Sequence, residues 1–380
     1  MVVAGSLLTV ALDVTSLIGP RTGVGALTEN LVEGLAARSD VAVRAFAVTW
    51  RGRGALSHSL PSGVVLASRA MAARPLRAAW SRGDRPAIER WTGPVDVVHG
   101  PNFIVPPARH AARVVTVHDL TAWRYPELVD RHSASYPDMV AKAVAAGAWV
   151  HAPSRFVAGE LADILGLDPA RVVAVANGAP DLGPETPGRD VATGRTLAGA
   201  ERYVLAVGTV EPRKDLPGLV AAFDRVAADD PDVRLVLAGP DGWGADALAD
   251  AVAQARHGDR IIRLGWVDDD DRAALLRGAT VVAYPSVYEG FGLVPLEAMA
   301  AGVPVVSTRA GAIPEVVGDA AELVEVGDTD ALAEALGRLL GDEERRAELV
   351  AAGHLRRARF RWETTVDDIV ALYRRAAEAR

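Results

Sequence analysis

Short apolar runs recur along the chain, most of them followed by a loop and a segment with helical spacing. In the first half the runs fall at 6–14, 41–48, 95–99, 113–118, 148–152 and 171–175, and helix-like segments include 24–37, 134–147 and 155–165. Strands apolar throughout, alternating with amphipathic helices, predict a mostly parallel sheet covered by helices. The stretch "ANGAPDLGPETPGRDVATGRT", 176–196, is dense in Gly, Pro, Asp and Thr and reads as a linker. Alternation resumes with runs at 202–208, 232–239, 260–265, 279–285 and 303–307, which predicts a second doubly wound domain. The polar clusters follow strands, where the ligands of such sheets sit, so the cleft between the two domains is the candidate site.

The composition fits that picture. At 380 residues, half of them apolar, the chain exceeds what one core supports. The absence of cysteine excludes a disulfide framework, a thiol nucleophile and a thiolate metal site. The opening "MVVAGSLLTVALDV" lacks a basic leader and is expected to be a buried strand, not a signal peptide. No run reaches the roughly 18 apolar residues of a membrane span, so the reading is a cytoplasmic protein, with at most peripheral contact at the inner face of a membrane.

Charge is uneven. The net −8 divides into +2 for residues 1–190 and −10 for the remainder. Within 41–91 stand nine arginines (44, 51, 53, 69, 74, 77, 82, 85 and 90) against Asp84 and Glu89. This segment is either a solvated Arg/Ala-rich surface or a basic face for an anionic acceptor or membrane, helped by Trp80 and Trp91. It does not call for a nucleic-acid partner.

The candidate chemistry centres on "SVYEGFGLVPLEAMAAGVPVV", 286–306, where Glu289 and Glu297 sit among glycine and apolar residues. Pro295 suits a helix's first turn, which puts Glu297 in that turn and Glu289 on the loop feeding it. The N–H groups of such a helix start attract anions, and Gly290, Phe291 and Gly292 allow close backbone approach. "GTVEPRKD", 208–215, places Arg213 and Lys214 at a strand end. They suit a diphosphate, Arg through its planar fork and Lys as a point charge, or are ordinary surface cations. In "PRTGVGALTENL", 20–31, Gly23 and Gly25 supply part of a glycine fingerprint at a helix start, or a plain tight turn. "VVTVHDLTAW", 114–123, ends a strand with His118 and Asp119; the histidine is either a satisfied structural residue or a catalytic one. With neither a serine elbow nor a second metal-spaced histidine, a hydrolase triad or zinc site is poorly supported. "WVDDDDRAALL", 266–276, reads as a helix cap with first-turn acids, not a metal run.

Glu289 and Glu297, eight positions apart with "GFG" between them, "GTVEPRKD" and "FRWETTVDDIVALYRRA" together resemble family 4 of the retaining glycosyltransferases. The resemblance implies the α/β GT-B fold, two doubly wound Rossmann-like domains facing each other across a deep cleft. The expected division is 1–188 for the acceptor, 189–362 for the nucleotide sugar, and a C-terminal helix in 363–380 packing back on the first domain. "GPRTGVGALTENLVEGL", "HGPNFIVPP" and "TVHDLTAWRYPELV" resemble bacterial mannosyltransferases of polysaccharide or glycolipid assembly. By the same resemblance Glu297 holds the ribose hydroxyls, Arg213 and Lys214 the diphosphate, and Glu289 with Gly290, Phe291, Gly292 and Leu293 the sugar. His118 faces the sugar, Gly23 lies near the phosphates and Asp119 is an acceptor contact; His118, Glu289, Arg213 and Lys214 form the catalytic set. No metal or cofactor is implied. The donor is GDP-mannose first and a UDP-hexose second, and the acceptor a glycan, a lipid-linked sugar or a small molecule. The alternatives are a nucleotide-sugar epimerase and a non-catalytic nucleotide-sugar-binding subunit.

Overall fold

The structure, a computed structural model, describes residues 7–19, 22–51, 54, 56, 59–67, 69–131, 133–186 and 188–380. Residue 6 of the first expected strand, Pro20 and Arg21 of the glycine motif, and Arg53 lie outside them. The chain forms two compact units, one running up to Gly178 and including Arg361–Arg380, the other Ala179–Phe360.

The first unit holds strands β1 (Leu8–Asp13), β2 (Val41–Phe46), β3 (Val65–Leu66), β4 (Val97–Gly100), β5 (Ala112–Thr116), β6 (Trp149–Ala152) and β7 (Val172–Ala174) in the order β3-β2-β1-β4-β5-β6-β7. The second holds β8 (Tyr203–Val207), β9 (Arg234–Ala238), β10 (Ile261–Gly265), β11 (Val281–Tyr284), β12 (Val305–Thr308) and β13 (Glu322–Val324) in the order β10-β9-β8-β11-β12-β13. The paired strands are parallel, as in Val10 opposite Val43 and Val97. Leu8, Val10, Ala11 and Leu12 are fully buried, the near-continuous burial that a sheet covered on both faces demands. Strand order reverses between β1 and β4 and again between β8 and β11. The loops leaving these neighbouring strands therefore start side by side at the carboxyl edge of each sheet.

Two features depart from the expected pattern. The stretch expected as a linker contains a helix, Arg189–Ala198, which packs on the helix Asp269–Gly278. Gly188 and Gly199 sit at its ends, so the glycines punctuate a helix there instead of dissolving one. The strands β3 and β13 are also additional; two and three residues are too few to show a period. The helix Trp362–Glu378 belongs to the first unit, with Val366, Ile369, Val370, Leu372 and Tyr373 buried in its core. No described helix is long and apolar enough to cross a membrane.

That core contains a chain of polar groups crossing three strands. The Tyr373 hydroxyl lies 2.6 Å from His99 Nδ1, and His99 Nε2 lies 2.7 Å from Thr116 Oγ1. Thr116 Oγ1 in turn is 2.9 Å from His151 Nδ1, and His151 Nε2 is 3.0 Å from the Val175 carbonyl. A carbonyl only accepts, so His151 carries its proton on Nε2. Thr116 then donates to His151, His99 donates to Thr116, and Tyr373 donates to His99. Both imidazoles are neutral in this order. Burial holds His99 well below its ordinary pKa and His151 at about 4, each helped by a neighbouring histidine.

Candidate active site

In the second unit the switch point between β8 and β11 assembles a charged cluster. After β8 the chain turns once through Pro212–Lys214, and Asp215, with φ at +44°, caps the helix Leu216–Asp229 by accepting from the Gly218 N–H. The loop after β11 is tied to that turn: Val287 N donates to the Arg213 carbonyl at 2.8 Å, and Arg213 Nη1 to the Tyr288 carbonyl at 2.9 Å. Three donors converge on Glu289 Oε1: Arg213 Nη1 at 2.6 Å, Lys214 Nζ at 2.7 Å and the Tyr284 hydroxyl at 2.8 Å. Lys214 also reaches the Tyr284 oxygen at 2.6 Å. Glu211, 3.4 Å from Arg213 Nη2, adds a longer contact.

Arg213, Lys214 and Glu289 are 9 to 16% exposed and Tyr284 is buried, enough to reshape their acidities. Burial alone raises Glu289, but Arg213 and Lys214 more than offset it and hold the carboxyl well below the usual range. Tyr284 is pushed well up by burial and by the Glu289 charge, so it stays protonated and donates. Burial lowers Lys214 while Glu289 opposes the shift. The result is an ionised carboxylate holding two cations at the sheet mouth.

The backbone around Glu289 is fixed by glycine. At Gly311, with φ at +57°, a Cβ would fall 2.3 Å from the Glu289 carbonyl oxygen, which accepts from Ala312 N at 2.8 Å. Gly292, with φ at +123°, starts the helix Leu293–Ala300 immediately after it. Glu297 therefore lies in the second turn, not the first. Pro295 occupies the third helical position, where its missing N–H removes no helical bond. Glu297 is only 4% exposed and meets a partner the sequence reading missed, Arg272, whose Nη1 lies 2.8 Å from its Oε1. Arg272 comes from the "DDDDR" run. There Asp268 does cap the helix, accepting from Asp271 N. Phe291 is buried with its ring edge-on to Phe360, so its side chain is core; Leu293 packs against the same core.

The structure thus brings Arg213, Lys214 and Glu289 together, with Tyr284 added, and sets Glu297 on the following helix with Arg272. His118, Asp119 and Gly23 belong to the other unit. His118 Nε2 donates to the Pro101 carbonyl at 2.7 Å and its ring stands edge-on to Phe103, which stacks on Tyr136. Burial lowers the His118 pKa against the opposing pull of Pro101 and Asp119. Asp119 Oδ1 accepts from Thr121 N at 2.8 Å, and Gly23 opens a helix capped by Thr22. Nearby, Asp13, Arg77, Asn102 and Tyr136 line a cavity of about 120 Å³ at the carboxyl edge of the first sheet. Burial raises Asp13 to about 6 against hydrogen bonds from Thr15. Trp80 is buried and donates to the Pro86 carbonyl, and Trp91, half-buried, points Nε1 to the Ala70 carbonyl.

Two Rossmann-like units, each with its polar cluster beyond the carboxyl edge, are the architecture of the GT-B glycosyltransferases. Residues 21–181 match the family model described as Glycosyltransferase Family 4, and residues 194–356 the one described as Glycosyl transferases group 1. The O-antigen chain mannosyltransferase B of Escherichia coli is 31% identical over 282 residues, which are 73% of this chain and 74% of that one. The D-inositol 3-phosphate glycosyltransferase of Geodermatophilus obscurus is 39% identical over 234 residues, 58% of this chain and 51% of that one. In fold the chain is similar to the crystal structure of Anabaena HepE in complex with UDP-glucose, at a TM-score of 0.72 and 18% identity, over 96% and 98% of the two chains. The chain belongs to the family 4 glycosyltransferases.

Proposed function

We propose that the protein is a retaining hexosyltransferase that needs no metal, takes GDP-mannose in preference to UDP-hexoses, and passes the sugar to a glycan, lipid-linked or small-molecule acceptor. The observation that carries this reading is the convergence of Arg213, Lys214 and Tyr284 on one oxygen of Glu289. Two cations gathered at the sheet mouth support a site that stabilises the charge growing on a leaving diphosphate as the glycosidic bond breaks. Mannose as the sugar is supported by the likeness to the E. coli mannosyltransferase. Glu297 takes the ribose diol, since a carboxylate accepts paired hydrogen bonds from vicinal hydroxyls.

An ionised Glu289 held by three donors is a poor nucleophile, so it binds sugar hydroxyls and does not attack the anomeric carbon. The bond from the anomeric carbon to the diphosphate oxygen breaks, and the acceptor's hydroxyl oxygen bonds to that carbon on the same face. Arg213 and Lys214 stabilise the departing diphosphate while its oxygen takes the acceptor's proton. The first unit binds the acceptor, with His118 toward the sugar and Asp119 as an acceptor contact, and the protein works on the cytoplasmic side.

The test is transfer from GDP-mannose and UDP-glucose to a panel of glycan and lipid-linked acceptors, with the product's anomeric proton read by NMR. Retention is expected, and an inverted product overturns the mechanism. Activity should survive EDTA; loss with rescue by Mn²⁺ refutes the metal-free part. A fluorinated donor should leave no adduct on Glu289 by intact-protein mass. Conversion of the donor without any acceptor, yielding an altered nucleotide sugar, would point to an epimerase.

A further inference from the structure

The acidic run 268–271 caps its helix, but the residue that follows it does something the cap does not require. The helix Asp269–Gly278 begins at Asp268, whose side chain accepts from Asp271 N. One turn in, Arg272 leaves the surface, where Asp269 lies 3.3 Å from its Nη2, and extends Nη1 to 2.8 Å from Oε1 of buried Glu297. Arg272 is itself 27% exposed and Glu297 is 6% exposed in its side chain, so the guanidinium bridges a wet helix start and a dry carboxylate.

We infer that Arg272 is a positioning residue for the donor's ribose. It anchors Oε1 of the Glu297 carboxylate with one charge-assisted hydrogen bond, which orients the group toward a vicinal diol. The inference rests on the reading that Glu297 takes the ribose. A carboxylate has about four lone-pair sites on two oxygens, and one planar guanidinium engages only part of them. A carboxylate free to rotate would lose the paired geometry a diol needs; one anchored at Oε1 by a guanidinium whose other arm rests on Asp269 keeps it. The helix carrying Arg272 touches the one carrying Glu297, so both ends of the contact stand on rigid elements.

The experiment measures, by calorimetric titration, the affinity of GDP and UDP and of their 2′,3′-dideoxy forms for wild type, Glu297→Gln, Arg272→Gln and Arg272→Lys. Wild type should prefer the ribose form of whichever nucleotide binds by roughly tenfold or more. Arg272→Gln should lose most of that preference by weakening only the ribose form, leaving the dideoxy affinity unchanged. Arg272→Lys, which restores charge without the fork, should recover part of it. A merely structural role would weaken both forms together. If Glu297→Gln loses the ribose preference while Arg272→Gln keeps it, Arg272 has no positioning role and the ribose reading stands. If Glu297→Gln itself keeps the preference, the ribose reading falls and the role of Arg272 with it. Should Arg272→Gln not fold, Arg272→Lys carries the test alone: a preference and both affinities equal to wild type overturn the role of the planar fork.

Discussion

Both units bury titratable groups, and they do so on opposite terms. In the first unit each donor of the Tyr373–His99–Thr116–His151 chain has one acceptor, every group is neutral, and the chain ends on a backbone carbonyl inside the sheet. In the second, three donors crowd one ionised oxygen at the sheet's mouth, and two of them are cations. The closed neutral chain needs nothing further; it ties the helix Trp362–Glu378 to strands β4, β5 and β6. The charged cluster keeps two cations beside a carboxylate at the edge where ligands of parallel sheets bind. Of the histidines in the first sheet, His99 and His151 are accounted for by structure.

The contrast breaks most readily at Lys214. Lys214→Ala should lower turnover of the donor by about 10²- to 10³-fold, the loss expected when a preorganised charge-stabilising group is removed. Steady-state kinetics with GDP-mannose or UDP-glucose measures it, and a variant as fast as wild type would place Lys214 with the structural groups.

Acid should strike the first unit. His151 stays neutral down to about pH 4 in the folded chain but takes a proton near 6.5 when unfolded. The unfolded chain then binds more protons, so this contribution is fully present above about pH 6.5 and is lost as pH falls toward 4, on the order of 3 kcal/mol for His151. Asp13 acts in the opposite direction: raised to about 6, it favours the protonated folded form and gives up stability as pH rises from about 4 to about 6. Urea unfolding between pH 7.5 and 4.5 should therefore show a moderate acid loss in wild type and a steeper one in Asp13→Asn. Identical slopes would mean the two groups do not oppose each other.

Thr116→Val sharpens the same side. It strands a histidine donor and a histidine acceptor in a dry site, each costing about 1–3 kcal/mol of folding stability. Nucleoside diphosphate affinity should be unchanged, which equilibrium unfolding and titration on one preparation can check together.

The smallest effect is expected at the arginine-rich segment. With Trp80 buried and Trp91 tied inward, any surface role falls to the exposed cations, so Arg74→Glu and Arg82→Glu combined should weaken flotation with anionic vesicles a few-fold and leave donor hydrolysis intact. Unchanged vesicle binding and transfer would favour a plain solvated face.

The long strands, and the polar loops after them, were readable because apolar runs and turn residues are local signals. The helix Arg189–Ala198 was hidden by its own glycines, and β3 and β13 by their brevity. Arg213, Lys214 and Glu289 could be named from the sequence, whereas Tyr284, 70 residues beyond Lys214, read only as the end of an apolar strand. Arg272 was masked by the capping pattern around it, and nothing local points 25 positions ahead to Glu297. The histidine chain is the extreme case: its links join residues 17, 35 and 274 apart, distances that only the sheet order and the returning helix close.

The central claim is that Arg213 and Lys214 hold the diphosphate of a nucleotide-sugar donor. Calorimetric titration of wild type with GDP and guanosine, and with UDP and uridine, should show one diphosphate binding at a single site, at least about 100-fold more tightly than its nucleoside, with that advantage largely gone in an Arg213→Ala, Lys214→Ala double variant. A diphosphate advantage undiminished in the double variant, with the protein folded, would contradict the account.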